Sequence, residues 1–508
     1  MISKVYTATL SGMESDLIEV ECDSGTGQFM FLLVGLADTA VQESRERVRA
    51  AIKNSGFDFP RGRVTVNLAP ADIRKEGSGY DLPIALSVLL TESQVPDDEL
   101  KKSLWIGELS LEGHVRAVPG VLSMVSLARE KGFTSVFVPE KNITESSLVK
   151  GIDCYPVKTL AQAFLHILKQ ERIAPYAAAP YESDTHGTYE YDMAFLRGQG
   201  FARRAMELAA AGGHNVLLSG PPGSGKTLLA RSFPSILPLL SEEEMVEVTR
   251  IWSCGGMITD SERLMARRPF RSPHHTSSSI ALIGGGSNPR PGEVSLAHRG
   301  VLFLDEFPEF GRACLEGLRQ PLEDGFISIS RASGRVRFPA QFMLIAAQNP
   351  CPCGNYGDAT LVCSCVPSRI MNYQKKISGP LLDRIDLHVS VPRVETPDLT
   401  TGELAESSQI IRERVSSARL IQQQRFAGTE IKTNSHMLSK DVERYCTLEK
   451  GVKDFLISTL SRMRLSARSY FRVLKLSRTI ADISGSELIS SAHISESLQY
   501  RPQSPLNN

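Results

Sequence analysis

Residues 215–233, NVLLSGPPGSGKTLLARSF, constrain the fold of this chain more than any other stretch. An apolar run with strand character passes into Gly220, Pro221, Pro222, Gly223, Ser224, Gly225, Lys226 and Thr227, and then into a helix-forming segment. The pattern G-x-x-x-x-G-K-T therefore sits between a strand and a helix, the setting a phosphate-binding loop requires. Its glycines let backbone N–H groups turn inward around phosphate, and the following helix start adds the positive end of its dipole. Lys226 is then placed to reach β- and γ-phosphates, and the Thr227 hydroxyl to hold Mg²⁺.

Such a loop needs a sheet behind it, and the apolar runs NVLLSG, GVLFLDE and FMLIAAQN, separated by helical stretches between 193 and 395, supply a largely parallel one covered by helices. Residues 1–170 alternate β-rich runs (KVYTATL, LIEVEC, FMFLLVGL, RVTVNLA, SVFVPE) with helical ones, which predicts a separate α/β domain. Residues 171–192 lack an apolar period and read as a tether. Beyond 396, to 508, helices dominate; Ile411, Val415, Ala418 and Ile421 are expected to share one helix face.

With 57 basic and 57 acidic residues the formal net charge is zero, so binding to a polyanion has to come from local patches. The chain start has no apolar leader and no run of eighteen apolar residues occurs, which predicts a cytoplasmic protein without a membrane span. Nine cysteines, four of them between 351 and 365, suit a reducing compartment better than disulfides.

Three further runs carry chemistry. GVLFLDE delivers Asp305 and Glu306 to the end of a buried strand, Asp305 suited to the Mg²⁺ shell and Glu306 to polarising an attacking water. Acids after a strand also serve as ordinary helix caps. FMLIAAQN ends in Asn349, whose amide suits orienting that water or sensing the γ-phosphate, or else serves a turn before Pro350. In LLDRID, Arg384 is either paired with its flanking acids or aimed into a neighbouring subunit's nucleotide.

GPPGSGKT, GVLFLDE, AAQNP and LLDRID, in that order, resemble an AAA+ ATPase. RPFRSPHHTSSSIALIGGGSNPRPGEVSLAHRG narrows this to the magnesium-chelatase-like group, and the whole chain resembles the bacterial ComM/YifB family of competence-associated ATPases. The resemblance implies an AAA+ core with a helical lid of the magnesium-chelatase C-terminal type and a homo-hexameric ring binding ATP and Mg²⁺ between subunits. It makes Arg384 a finger acting in trans and adds a lid arginine, Arg468, with Arg472 next in line. Six basic residues between 462 and 478 (Arg462, Arg464, Arg468, Arg472, Lys475, Arg478) are read in part as a solvated helix face.

ISIS and VRF flank RASGR, which predicts a β-hairpin whose tip carries Arg331, Arg335 and Arg337, cations suited to a nucleic-acid backbone or to guarding an edge strand. Arg267, Arg268 and Arg271 form a second basic cluster before His274 and His275, which are read as structural loop residues. Cys351, Cys353, Cys363 and Cys365, two C-x-C pairs, suit a closed structural Zn²⁺ site, or remain reduced thiols.

The N-terminal domain resembles the Lon protease catalytic fold (ribosomal-S5-domain-2-like) across RKEGSGYDLPIALSVL and GHVRAVPGVLSMVSLAREKG. The family's catalytic lysine position falls on Leu122 and its serine position on Gly79, with Ser78 one residue off, so proteolysis is not expected. The resemblance implies an ATP-driven DNA motor, a helicase or branch-migration enzyme aiding donor-DNA integration, with single-stranded or branched DNA and recombination proteins as partners. A magnesium-chelatase-type subunit driving metal insertion and a Lon-like protease are the alternatives.

Overall fold

A computed structural model describes residues 2–501 apart from 37, 76, 94–99, 178–188, 259–263, 287–288, 332–333, 359, 395–403 and 464–465. Residues 178–188, half of the expected tether, and Arg464 lie outside the described residues.

The N-terminal part is built from β1 (Ile2–Ser11), β2 (Glu14–Gly25), β3 (Met30–Val34), α1 (Thr39–Asn54), β4 (Arg63–Ala69), α2 (Asp81–Leu90), β5 (Ser103–Trp105), α3 (Val121–Glu130), β6 (Ser135–Pro139), β7 (Asp153–Val157) and α4 (Leu160–Ile167). They form a seven-stranded sheet in the order β3-β4-β2-β1-β5-β6-β7. The β1–β2 and β2–β4 pairs are antiparallel and the other pairs parallel. Period-two burial drives the strands: in β4, Val64, Val66 and Leu68 are fully buried while their neighbours are not. All ten residues of α2 are buried. Its one acid, Asp81, is answered by the Arg47 guanidinium at 2.8 and 3.1 Å.

The second sheet follows α5 (Gly200–Gly212) and comprises β8 (Val216–Ser219), β9 (Phe270–Arg271), β10 (Val301–Leu304), β13 (Met343–Gln348) and β14 (Leu387–Ser390). Its order is β9-β10-β13-β8-β14 and every pair is parallel. The carboxyl ends of the strands therefore share one edge, and α6 (Lys226–Ser232) starts there from the phosphate loop. Helix α7 (Glu242–Cys254) covers a flank, and β11 (Phe326–Arg331) with β12 (Gly334–Pro339) form the expected hairpin.

Helices α8 (Ser408–Arg425), α9 (Ser439–Tyr445), α10 (Lys450–Arg462), α11 (Ala467–Ile483) and α12 (Ser491–Gln499) make the lid. In α8, Ile411, Val415 and Ala418 are buried as expected, but Gln422 takes the buried place expected of Ile421, which is exposed. At 3.6 residues per turn Ile421 lies about 80° from Ile411 and Gln422 only about 20°. The Gln422 amide is satisfied there, donating to the Ala211 carbonyl at 3.0 Å and accepting from the Asn434 N–H at 2.9 Å.

The basic run of the lid also differs from a solvated face. Arg472 is paired with Asp386, Lys475 donates to the Ser435 carbonyl, and Arg478 holds Asp482 at 3.0 Å. These cations are internal clamps. The cluster before the histidines is spent likewise: Arg268 donates to the carbonyls of Pro238 and Arg299, and Arg271 makes a two-pronged contact with Glu293 at 2.6 and 2.7 Å.

The two sheets meet through α7. Arg250 donates to the Met13 carbonyl at 2.7 Å and to Ser123 Oγ at 2.9 Å, and Gly120 N–H to the Ser253 carbonyl at 3.0 Å. Met13, in the β1–β2 turn, packs with Ile251, Cys254, Leu296 and Phe338 of the core.

Candidate active site

Gly220 opens the loop at the carboxyl end of β8, where a Cβ would stand 2.1 Å from the Val391 carbonyl oxygen, so only glycine fits. Gly223 and Gly225 take φ of 77° and 90°, left-handed values that glycine adopts without strain. Nothing lies within 4 Å of the positions where their Cβ atoms would be, so it is backbone conformation and not crowding that favours glycine there. Ser224 Oγ is buried without a hydrogen-bond partner among the described residues. Gln199, just before α5, donates from its side-chain amide to the carbonyls of Ser224 and Pro392 at 3.3 and 2.8 Å, which braces the loop.

Lys226 is buried, and its Nζ donates to the carbonyls of Gly220 and Pro221 at 2.7 and 2.8 Å and to Asn349 Oδ1 at 3.3 Å. Burial pushes this ammonium below its ordinary value, with Asp305 opposing. Thr227 Oγ1 donates to Asp305 Oδ2 at 2.9 Å, and the Glu306 N–H donates to Asp305 Oδ1 at 2.9 Å. The hydroxyl and carboxylate make an oxygen pair suited to a hard divalent cation. The structure thus gathers Lys226, Thr227, Asp305, Glu306 and Asn349 at one sheet edge.

Glu306 has φ of 50°, unusual for a residue with a Cβ and worth roughly 1–3 kcal/mol of local strain. Its carboxylate Oε2 lies 3.0 Å from His275 Nδ1, whose ring packs at 4.2 Å centroid distance on His274. The two histidines lie in the loop after β9, as expected, but His275 also touches Glu306. Sequence reading missed this. The signal available was that the histidine loop ends a strand neighbouring β10.

Arg384 and Arg468 lie elsewhere. Arg384 precedes β14, and its carbonyl accepts from Asn215 Nδ2 at 3.1 Å, where Asn215 precedes β8. It therefore stands at the amino edge of the sheet, one strand length, about 13 Å, from the edge that carries the loop. Arg384 donates to Glu323 and to the Pro380 carbonyl, and its Nε is buried without a partner among the described residues. Arg468, at the start of α11, joins the same group at 4.0 Å from Glu323 and 3.7 Å from Asp383. Arg472, one turn on, is tied to Asp386, which also holds His214 Nδ1 at 3.1 Å, and is no free cation.

In the hairpin Ser330 pairs with Arg335 and Ser328 with Arg337, while Ile329 pairs with Val336 and Ile327 with Phe338. One face is thus polar and basic, and the other is apolar and packs inward. Arg335 and Arg337 are exposed, but Arg337 is not at the tip: it stands on the strand with its guanidinium 3.7 Å from the Phe326 ring centroid. Arg331 ends β11 and its side chain lies outside the described residues.

The sulfurs of Cys351, Cys353, Cys363 and Cys365 all lie within 4.8 Å of one another, three pairs at 3.4, 3.7 and 3.6 Å. Four thiolates about 2.3 Å from a tetrahedral Zn²⁺ have edges of about 3.8 Å, so the donor set fits. Backbone N–H groups of Asn355 and Ser364 hold the Cys353 thiol well below its ordinary value, while burial and the neighbouring thiols push Cys363 and Cys365 up.

In the N-terminal part, Leu122 is fully buried and Ser78 Oγ donates to the Glu108 carboxylate rather than meeting a lysine.

Residues 192–399 match the family model described as magnesium chelatase, subunit ChlI, residues 18–142 one described as subunit ChlI of Mg-chelatase, and residues 405–501 its C-terminal counterpart. Competence protein ComM of Haemophilus influenzae is 42% identical over 500 residues, covering 98% of this chain and 97% of that one. The chain belongs to the ComM/YifB family. The family's Escherichia coli protein YifB is 40% identical, again over 98% of this chain and 97% of its own length. A Lon protease from Aster yellows witches'-broom phytoplasma is 24% identical over 165 residues, 30% of this chain and 20% of its own. Family membership makes the second sheet and lid a magnesium-chelatase-like AAA+ unit, preceded by a part with weak similarity to Lon protease. Among the described residues no helix is long and apolar enough to cross a membrane.

Proposed function

We propose that the chain is an ATP-dependent DNA motor working as a closed ring, a hexamer by analogy with related AAA+ proteins, that moves branched or displaced strands during recombination. Residues 1–170 are then a proteolytically silent Lon-like domain, 171–192 a tether, 193–395 the ATPase core and 396–508 its lid.

The observation that carries this reading is the division of the chemistry between opposite sheet edges. Lys226, Thr227, Asp305, Glu306 and Asn349 gather at the carboxyl edge, Arg384 and Arg468 at the amino edge. A single copy cannot bring both arginines to its own loop, whereas a neighbouring copy can present them together. Magnesium-bound ATP would supply the phosphoanhydride to be cleaved and the charge that Arg384 offsets. Lys226 holds the phosphates, Thr227 and Asp305 hold the cation, Glu306 takes the proton of the attacking water, and Asn349 reports the γ-phosphate to Lys226.

DNA is supported by the exposed Arg335 and Arg337 on the hairpin face opposite its apolar anchor, and by the competence role in the name of the Haemophilus relative. Steady-state ATPase assays with and without forked DNA, alongside strand displacement with Lys226→Ala as control, test it. DNA stimulation with displacement lost in the variant supports the motor; absence of both refutes it. A magnesium-chelatase-type role is favoured by the wording of the three matched family models. Co-purification with a porphyrin-binding partner in place of DNA stimulation would select it.

A further inference from the structure

The cysteine knuckle is joined to the phosphate loop more closely than a remote structural module needs to be. Strand β13 ends at Gln348, whose carbonyl accepts from the Gly220 N–H at 3.2 Å, so the strand leading to the thiols is hydrogen-bonded to the first residue of the loop. Asn349, which accepts from Lys226 Nζ at 3.3 Å, is separated from Cys351 only by Pro350. Gln374 Nε2 fixes that proline's carbonyl at 3.2 Å.

On its other side the knuckle touches the loop directly. Gly354, with φ of 83°, would place a Cβ 2.4 Å from Pro222 Cδ and 2.8 Å from Pro222 Cγ. The contact is therefore backbone against proline ring. The middle of the knuckle is pinned as well: Asp358 accepts from the N–H groups of Thr360 and Leu361 at 2.8 and 3.1 Å and from Arg393 Nε at 2.8 Å. Arg393 follows Val391, whose N–H donates to the Ser219 carbonyl at 2.8 Å at the base of the loop. A segment held to the loop's flanks at its start and its middle, and pressed on the loop between the two, transmits its own shape to the loop.

From this geometry we propose that a tetrahedral cation of the zinc class, held by Cys351, Cys353, Cys363 and Cys365, sets the shape of the phosphate loop through Pro222 and Asn349, so that metal and nucleotide binding are coupled. This rests on reading Gly220 to Thr227 as a nucleotide site. The loaded knuckle keeps Gly354 against Pro222 and Asn349 against Lys226; without the metal, the two C-x-C pairs lose the bonds that join them, and the loop loses this part of its support. Coupling of this kind is reciprocal: whatever factor metal adds to nucleotide affinity, nucleotide adds to metal affinity.

The test uses the full-length zinc-loaded protein and reads metal, not turnover. Zinc release to a chromophoric chelator is followed with and without the slowly hydrolysed analogue ATPγS and Mg²⁺, and analogue affinity is measured with and without zinc. Zinc loss slowed about five-fold or more by the analogue, with analogue affinity falling on zinc removal, is the expected result. Pro222→Gly, which removes one of the two contacts and leaves all four thiols, should keep one zinc per chain and weaken the coupling. Identical release rates with affinity unchanged on zinc removal would overturn the proposal while leaving the nucleotide site intact. A chain that takes up no zinc also overturns it. Failure of the zinc-loaded protein to bind the analogue would overturn the nucleotide reading as well.

Discussion

Asn215 donates through Nδ2 to the carbonyl oxygen of Arg384 at 3.1 Å, and this bond fixes the arginine at the amino end of the strand whose carboxyl end becomes the phosphate loop. The same edge receives the lid, because Asp386, two residues on, holds both His214 and Arg472. On the proposed reading of Arg384, a cation kept one strand length from the loop needs a second copy to bring the two together.

Replacing Arg384 with alanine should lower kcat for ATP by a factor on the order of 10³, with nucleotide affinity changed little, because the group acts on charge that develops only during cleavage. Steady-state hydrolysis alongside equilibrium binding of a fluorescent nucleotide reads the two effects separately. An equal loss in both would instead make Arg384 a part of the chain's own binding loop.

His275 lies 3.0 Å from Glu306 and holds a carboxylate whose backbone is itself in an uncommon conformation. His275→Ala should lower kcat about ten- to a hundred-fold while KM for ATP moves less than about two-fold, as for loss of a positioned proton acceptor. His275→Asn, which keeps a polar group near that position, should recover part of the loss. Unchanged kcat in the alanine variant would restore a purely structural reading of both histidines.

Asp386 is buried; burial alone would raise its carboxyl, but Arg472, His214 and Arg501 outweigh that and hold it well below the usual carboxylate range. Asp386→Ala leaves Arg472 without its partner and should destabilise the lid by about 3–5 kcal/mol. Hydrogen exchange of the α11 amides should then rise by about a hundred-fold or more. Because the folded value lies below the unfolded one, near 3.9, the stabilisation is complete above about pH 4 and is lost as pH falls through that value toward the folded one. Lid protection that is insensitive to the substitution would remove Asp386 from this role.

Arg335 and Arg337 project from the polar hairpin face, so each alanine replacement should weaken DNA binding evenly across sequences and reduce the salt slope by about one. Fluorescence anisotropy across a salt series measures this. An unchanged slope would leave the hairpin with only an edge-guarding role.

What could be read along the chain was whatever is set by neighbours in sequence. The phosphate loop, the acids after β10 and Asn349 after β13 are each a strand followed by its own chemistry, and the structure places all of them on one edge. The contact of His275 with Glu306 was invisible because it is made between loops of two paired strands, β9 and β10, about 30 residues apart. Arg472, Lys475 and Arg478 looked solvated because their partners Asp386 and Ser435 are brought in by lid folding, and only Asp482 is local. The choice of Gln422 over Ile421 turned on helix angle against hydrophobicity: a buried amide with two partners outcompeted an apolar side chain set off the face.

The most direct test of cleavage shared between copies is a mixing experiment. Lys226→Ala retains Arg384 but lacks the phosphate lysine, and Arg384→Ala retains the loop but lacks the arginine. Each alone should hydrolyse ATP at a background rate, and equimolar mixtures should regain a substantial fraction of wild-type activity, since some interfaces then pair an intact loop with an intact arginine. A mixture no more active than the sum of its parts, under conditions where the two variants are shown to co-assemble, would contradict hydrolysis completed by a neighbouring copy.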